Sequence, residues 1–178
     1  MTDFEFKPYG KTQRYKDQTV TITEKLDGTN ACVVIQGGVV VGAQSRNRKI
    51  AVGDDNMGFA AFVETNKEDL ASLGDGYHYG EWAGEGIQKN PHKLTGKHFF
   101  LFNTFRTEDT LPKCVKNVPV LFQGEFSGDY QLNSIMDELL QEAKAAGYTP
   151  EGIIVYFHGF RTTVKYTYAG NKSKWELS

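Results

Sequence analysis

Short runs of branched and aliphatic side chains predict the first strands of the protein. Residues 19–23 are β-branched at every position, and residues 32–36 form a second, mostly aliphatic run. Both patterns favour extended chain, because branched side chains pack well on a pleated surface. Gly37-Gly38 separates the second run from residues 39–43, which is the spacing of a two-residue hairpin turn.

Later runs predict further strands separated by loops. Alternating or continuously apolar positions indicate strands at residues 77–84, 99–105, 153–157 and 162–168. Loops are predicted at residues 85–98 and 112–130, the second with a short apolar run at 118–122. The lone histidines of the first loop, His92 and His98, are predicted to be structural or solvent-facing rather than metal ligands.

The clearest helix is predicted after residue 130. Its apolar positions recur at helical spacing: Leu132, Ile135, Met136, Leu139, Leu140 and Ala143. Asn133 or Ser134 is the predicted amino-terminal cap, and Gly147 would end the helix. Residues 54–73 have partly helical spacing. We therefore predict an α+β protein, rich in antiparallel β-sheet with flanking helices, and one domain over residues 1–178.

Composition narrows the function classes. The 178 residues include 19 glycines, and the net charge of −2 argues against a bulk electrostatic nucleic-acid binder while leaving room for a local basic groove. Of the two cysteines, Cys32 lies in an apolar run and is predicted to be a reduced, buried thiol. No signal peptide or membrane-spanning run is visible, so we expect a cytoplasmic protein without a membrane partner.

Three polar motifs interrupt the predicted strands. Lys25 lies between Glu24 and Asp27-Gly28, where a turn would leave its amine facing a cleft; an ordinary surface lysine beside a tight turn is the alternative. Arg46 belongs to the basic run 46–49, which suits phosphate binding or a solvated strand end. Glu81 is either an acceptor for sugar hydroxyls or a strand-edge carboxylate facing water.

In this order the motifs resemble the covalent nucleotidyltransferase superfamily of ligases and capping enzymes, and within it the phage-type ATP-dependent RNA ligase family. The resemblance covers roughly residues 20–168 and implies the ATP-grasp-like fold of a ligase adenylylation domain. It implies that Lys25 in Lys-x-Asp-Gly becomes adenylylated. It also implies that Arg46 meets phosphate and that Glu81 holds the ribose.

The same resemblance assigns five further positions. Phe102 is expected to stack on adenine, and Glu24 and Asn30 to help bind the nucleotide. Glu151, in Glu-Gly-Ile-Ile-Val, is expected to bind metal and to position the lysine. Lys165 is expected to act as the last motif's lysine on the α-phosphate. The implied cofactors are ATP and Mg²⁺ or Mn²⁺, and the implied partners are RNA ends with a 5′-phosphate and a 3′-hydroxyl, including a nicked duplex.

Two departures from the family pattern keep alternatives open. Members usually carry two lysines at alternate positions in the last motif, whereas Thr163 and Thr167 flank Lys165 here. The usual carboxy-terminal accessory domain is also expected to be missing. A DNA ligase or another nucleotidyltransferase is the neighbouring alternative, and a catalytically weak nucleotide- or nucleic-acid-binding module is the alternative from another class.

Overall fold

Two β-sheets form the framework of the protein in a computed structural model, which describes residues 18–169 together with Glu5, Lys7 and Pro8. The strands of the described chain are β1 Thr19–Glu24, β2 Thr29–Gln36, β3 Val39–Ser45, β4 Lys49–Ile50, β5 Gly76–Gly84, β6 Lys97–Leu101, β7 Val115–Asn117, β8 Val120–Glu125, β9 Gly152–Phe157 and β10 Thr162–Thr167. The α-helices are α1 Phe59–Thr65, α2 Lys67–Leu70 and α3 Asp129–Ala146. None of them is both long and apolar enough to cross a membrane.

The first sheet has four antiparallel strands in the order β10-β9-β1-β8. One face of this sheet packs against α3. The core between them is formed by buried aliphatic and aromatic side chains, including Val20, Ile22, Leu132, Leu139, Ile153 and Val155. Because side chains alternate along a strand, Thr21, Thr23 and Ile154 point to the other face.

The second sheet has six strands in the order β4-β3-β2-β5-β6-β7, and only the short β7 runs parallel to its neighbour β6. Its outer face is covered by α1 and α2. The centre of this core is aromatic: the Phe59 ring lies 5.0 Å from that of Phe99 and 5.3 Å from that of Trp82. A smaller buried cluster of Leu26, Ala83, Phe100 and Val118 joins the two sheets.

Most predicted strands and the helical segment at 54–73 are confirmed, as is the antiparallel α+β class. Gly147 ends α3 in the left-handed conformation at φ 79°. The thiol of Cys32 is fully buried, and burial raises its pKa to about 11. The irregular segments predicted before residue 18 and after residue 168 lie largely outside the described residues.

Three local predictions are wrong. The strand predicted at 99–105 ends at Leu101, because Asn103 turns the chain by accepting a hydrogen bond from the amide of Phe105 at 3.2 Å. The predicted loop 112–130 contains β7 and β8. Strand β8 is partly exposed on both faces, and its sequence therefore lacks the alternation of apolar and polar residues that would mark a strand. Helix α3 begins at Asp129 after Gly128, a full turn before the predicted cap.

Candidate active site

Lys25 lies in the segment that carries the chain from the four-stranded sheet to the six-stranded sheet. Strand β1 ends at Glu24, and the amide of Lys25 donates a hydrogen bond to the carbonyl oxygen of Gly152 at 2.9 Å. Four residues later the chain enters β2 of the other sheet. The side chain of Lys25 is 23% exposed and lines the cleft between the sheets.

The glycine of the Lys-x-Asp-Gly motif is required by a close approach between chain segments. A Cβ at Gly28 would lie 2.5 Å from the carbonyl oxygen of Trp82 and 2.9 Å from Cγ of Glu81. Real Cβ atoms do not come that close, so a side chain here would push the Lys25 segment away from β5. The motif therefore fixes the distance between Lys25 and Glu81.

Glu151 pairs directly with the Lys25 amine. Its Oε1 lies 2.5 Å from Nζ of Lys25, and the two side chains are 38% and 23% exposed. Glu151 immediately precedes β9, the strand that pairs with β1. The next residue is held at φ 150°, and a Cβ at Gly152 would collide with the backbone of β10. Backbone contacts on both sides thus set the position of the Glu151 carboxylate.

Glu81 faces the cleft from the middle of β5. It is paired in register with Asn30 on β2, and both side chains line the cleft with Arg46. Burial raises the pKa of the Glu81 carboxyl to about 7, although the positive charges of Lys25 and Arg46 act in the opposite direction. The result is a carboxyl group that changes charge near neutral pH.

The basic run 46–49 divides into two parts with different surroundings. The Arg48 guanidinium is bound to the 54–55 loop: it lies 2.8 Å from Oδ2 of Asp54 and donates to the carbonyl oxygens of Asp54 and Asp55. Arg46 lines the cleft instead, and no ion pair engages it within the part of the chain that is described. Arg46 is therefore the member of the run that can meet a ligand in the cleft.

The buried carboxylate of Glu24 is held by two residues that sequence reasoning did not assign. Glu24 is 5% exposed, and its Oε1 accepts hydrogen bonds from Nε2 of His92 at 2.8 Å and from the Tyr148 hydroxyl at 3.1 Å. The rings of His92 and Tyr148 lie 4.3 Å apart. Burial, together with the nearby Glu24 carboxylate, raises the pKa of Tyr148 to about 12. His92 is structural, as predicted.

The 85–96 loop also holds the other side of the Lys25 segment. The amide of Lys89 donates to Oδ2 of Asp27 at 3.0 Å, and Leu94 packs against the cluster that contains Leu26. Nothing in the local sequence indicated these contacts, since the partners are separated by more than sixty residues of chain. Together the two carboxylates fix the backbone on either side of Lys25.

The cleft has a volume of about 660 Å³ and two chemically distinct ends. We call the group of Lys25, Asn30, Arg46 and Glu81 the charged end. Tyr77, Tyr79 and Phe105 form the aromatic end, and Phe102 lies beside it. Tyr77 and Tyr79 occupy alternate positions of β5 before Glu81, so all three side chains project from the same face of the strand.

The cleft collects most, but not all, of the residues predicted for the site. Those that line it are Glu24, Lys25, Asn30, Arg46, Glu81 and Phe102. Glu151 is linked to the cleft by its ion pair with Lys25. Lys165 is exposed on β10 and lies opposite Ile154, whose side chain lines the cleft. Of the last motif, Thr163 lines the cleft directly, whereas Lys165 lies beside it.

The family model for RNA ligase matches residues 18–167, which is most of the chain. The chain belongs to the RNA ligase family. No curated protein gives a match to it.

Solved structures of a Naegleria gruberi RNA ligase share the fold of this RNA ligase family member. A mutant of that protein with AMP and Mn has a TM-score of 0.63 and 22% identity, covering 86% of this chain and 50% of its own. A second mutant, with ATP and Mn, has a TM-score of 0.62 and 22% identity, covering 92% of this chain and 52% of its own. The chain thus spans about half the length of these structures.

Proposed function

We propose that this protein is an ATP-dependent RNA ligase that joins a 5′-phosphate to a 3′-hydroxyl through a lysyl-AMP intermediate. The observation that carries the proposal is the placement of the Lys25 amine in a cleft with Arg46 and Glu81. An amine nucleophile, a cation for phosphate and a carboxylate for a sugar hydroxyl are the groups that nucleotidyl transfer to a lysine needs. Membership of the RNA ligase family supports the same assignment.

In the first step the Lys25 nitrogen attacks the α-phosphorus of ATP. An N–P bond forms, the bond to the bridging oxygen breaks, and pyrophosphate leaves from the opposite side. A free lysine amine, with a pKa of about 10.4, must lose a proton before it attacks. The ion pair with Glu151 at 2.5 Å orients the amine. Arg46, and Lys165 beside the cleft, are the cations that can stabilise the phosphate oxygens.

The residues present fit a divalent metal that is shared with the nucleotide. No cluster of three or more His, Cys, Asp or Glu side chains suited to a metal exists among the described residues. Mg²⁺ is commonly bound by one or two carboxylates together with substrate phosphates, and Glu151 is the carboxylate placed to serve in this way. A metal bound there would supply positive charge to the phosphates and compete with the Lys25 ammonium for Glu151. The proposed cofactors are ATP and Mg²⁺ or Mn²⁺.

Nucleotide selection follows from the walls of the cleft. Phe102 is 43% exposed at the end of β6, with a free ring face that can stack on adenine. Glu81, paired in register with Asn30, can accept a hydrogen bond from a ribose hydroxyl. Glu24 is the exception among the predicted nucleotide ligands, because His92 and Tyr148 already occupy its Oε1. We propose that Glu24 acts on the nucleotide by positioning the Lys25 segment.

The second step takes place at the phosphorus of lysyl-AMP, and the third at the 5′-phosphate of the RNA. An oxygen of the RNA 5′-phosphate attacks the lysyl-AMP phosphorus, the N–P bond breaks, and the amine is released. The RNA 3′-hydroxyl then attacks the 5′-phosphate of this adenylylated end, a phosphodiester forms, and AMP leaves. Arg46 and Lys165 are the cations that can hold these phosphates near the cleft.

The proposal is tested by ligation with defined strands. The protein is incubated with ATP, a divalent metal and a 5′-phosphorylated RNA with a 3′-hydroxyl acceptor, next to DNA strands of the same sequence. We expect the wild-type protein to join the RNA strands only when ATP is present. The Lys25→Ala variant should join no RNA. Preferential joining of DNA would assign a DNA ligase. Nucleotide binding without joining of either would assign the chain to a binding module.

A further inference from the structure

Aromatic side chains at the aromatic end of the cleft face solvent, although most large apolar side chains on these sheets are buried. Tyr77 is 58% exposed, Tyr79 45% and Phe105 69%. The rings of Tyr77 and Tyr79 lie 6.3 Å apart and only 17° from parallel. Exposed aromatic rings grouped at a cleft mark a binding surface, because water contact with that much apolar area is unfavourable unless a ligand covers it.

These rings are not needed for the fold described above. Trp82 on β5 and Phe99 and Phe100 on β6 supply the buried aromatic packing. The chemistry proposed for ATP also leaves these rings unused, since it employs Phe102 for the base and Glu81 for the ribose. A function is therefore still to be assigned to Tyr77, Tyr79 and Phe105.

The rings continue the wall that carries the proposed catalytic groups. Tyr77, Tyr79 and Glu81 follow one another on a single face of β5, and the amide of Phe102 bonds to the carbonyl oxygen of Tyr79 at 2.9 Å. His158, on the other sheet's side of the cleft, has its ring centroid 5.7 Å from that of Phe105, with the two rings inclined at 73°. A polynucleotide whose phosphate lies near Lys25 and Arg46 could thus place its neighbouring bases against these rings.

We propose that Tyr77, Tyr79 and Phe105 form a stacking platform for unpaired nucleotides of the RNA substrate. The inference rests on the proposed function, because it takes the ligand in the cleft to be RNA. Unpaired bases stack on aromatic side chains, whereas a duplex hides its base faces inside the helix. The platform therefore selects a single-stranded or frayed end over an intact nicked duplex.

The charge distribution agrees with this occupant. The protein has a net charge of −2, and Lys25 and Arg46 are the Lys and Arg side chains that line the cleft among the described residues. Such a surface gains little from the phosphates of a long duplex. Stacking supplies affinity that does not depend on many cations, which suits a net-acidic protein that must hold an RNA end.

The test compares the full chain with Tyr77→Ala/Tyr79→Ala and with Tyr77→Phe/Tyr79→Phe, which keeps both rings. Tyr130→Ala is the matched control, since Tyr130 is 87% exposed on α3. Binding is measured by fluorescence anisotropy with a 5′-phosphorylated single strand of about ten nucleotides and with a duplex of the same sequence, at one salt concentration. Lysyl-AMP formation is followed separately by intact mass.

We expect the alanine pair to weaken single-strand binding by about fivefold to 150-fold, as loss of one stacked base does. Duplex binding should change by less than about twofold, and the Phe pair, Tyr130→Ala and the rate of lysyl-AMP formation should match wild type. Equal losses on single strand and duplex would overturn the proposal. If the alanine pair forms lysyl-AMP more slowly but binds RNA normally, the rings bind the nucleotide instead of RNA. If the alanine pair binds both RNAs as wild type does, the rings have no role in RNA binding.

The outcome separates this inference from the proposed function. Suppose that the wild-type protein forms no lysyl-AMP, but the Tyr77→Ala/Tyr79→Ala variant binds the single strand more weakly than wild type. That result would contradict the proposed ligase function and support the stacking platform. If wild type and the Tyr77→Ala/Tyr79→Ala variant seal RNA equally well, the ligase function would be supported and the stacking platform would be contradicted. Loss of single-strand binding in Phe105→Ala, a change on a separate loop, would confirm that the platform extends beyond β5.

Discussion

At the charged end of the cleft, Lys25 and the carboxylates that flank it are held by specific partners, whereas at the aromatic end the rings face solvent. Lys25 is paired with Glu151, and the flanking carboxylates of Glu24 and Asp27 are bound by the 85–96 loop. Tyr77 and Tyr79 contact each other and line open space. Fixed geometry suits a covalent step in which atoms must align, and exposed rings suit a substrate that varies in sequence. The charged end should therefore tolerate no change at Lys25, the proposed nucleophile.

The largest effect is expected at Lys25. In Lys25→Arg the charge is kept, but a guanidinium stays protonated and cannot attack phosphorus. ATP-dependent joining should fall by at least about 10³-fold, as is usual when a covalent nucleophile is removed. The same variant should still join an RNA end that is already adenylylated, because its AMP is activated without the lysine. Joining rates on the two substrates, measured side by side, check both statements.

The next effect concerns the ribose. Glu81→Ala removes a charge-assisted hydrogen bond, and kcat/KM for ATP should fall by about 10- to 150-fold, the equivalent of about 1.5–3 kcal/mol. dATP provides the matched control, since it lacks the 2′-hydroxyl. Wild type should prefer ATP over dATP, and the variant should lose that preference. Equal use of the two nucleotides by wild type would exclude a hydrogen bond from the 2′-hydroxyl to Glu81.

Glu81 also predicts a pH dependence with a definite sign. Burial raises its pKa from 4.5 to about 7, so between these values the folded protein keeps a proton that the unfolded chain has lost. Stability should fall as pH rises from about 4.5 to about 7, and this loss should be absent in Glu81→Gln. The carboxylate is charged only above about 7, so the wild-type to Glu81→Gln ratio of kcat/KM for ATP should rise through that pH. A flat ratio would contradict the assignment.

His92 tests whether the 85–96 loop maintains the charged end. His92→Ala leaves the 5% exposed carboxylate of Glu24 with Tyr148 as its remaining side-chain partner. Unfolding free energy should fall by about 1–3 kcal/mol, the cost of an incompletely paired buried group. The half-buried His98, whose ring hydrogen-bonds to the carbonyl oxygen of Thr95, is the control, and His98→Ala should be near neutral. Denaturant unfolding of both variants measures the difference.

The smallest effect separates two arginines of one basic run. Arg48→Ala removes an exposed ion pair with Asp54 and should cost about 0.2–1 kcal/mol of stability, with no change in the use of ATP. Arg46→Ala should leave stability unchanged and slow lysyl-AMP formation by about tenfold or more, since it removes a phosphate contact. If Arg48→Ala slowed adenylylation as strongly as Arg46→Ala, the division of the run would be wrong.

The elements around the charged end were largely predictable from local sequence. β-branched runs marked β1 and β9, and the Lys-x-Asp-Gly turn between strands indicated that Lys25 faces a cleft. Side-chain alternation on β5 also places Tyr77 and Tyr79 on the face of Glu81. The order of the short motifs along these strands and turns indicated the fold.

Contacts distant in sequence could not be predicted. His92 and Tyr148 reach Glu24 across 68 and 124 residues of chain, and no local pattern specifies such a partner. The start of α3 was misplaced because Gly128, not a polar cap residue, precedes it. Arg46 and Arg48 look alike in sequence, and only the position of the 54–55 loop separates them. These features depend on how the sheets and loops pack.

The central claim is that Lys25 carries AMP. The most direct test is intact-mass measurement after incubation of the chain with ATP and a divalent metal, followed by peptide mapping of any adduct. We predict a gain of one adenylate on Lys25, its loss on addition of pyrophosphate, and no adduct on a folded Lys25→Ala protein. Absence of any adduct on wild type, or an adduct that persists in Lys25→Ala, would contradict the account.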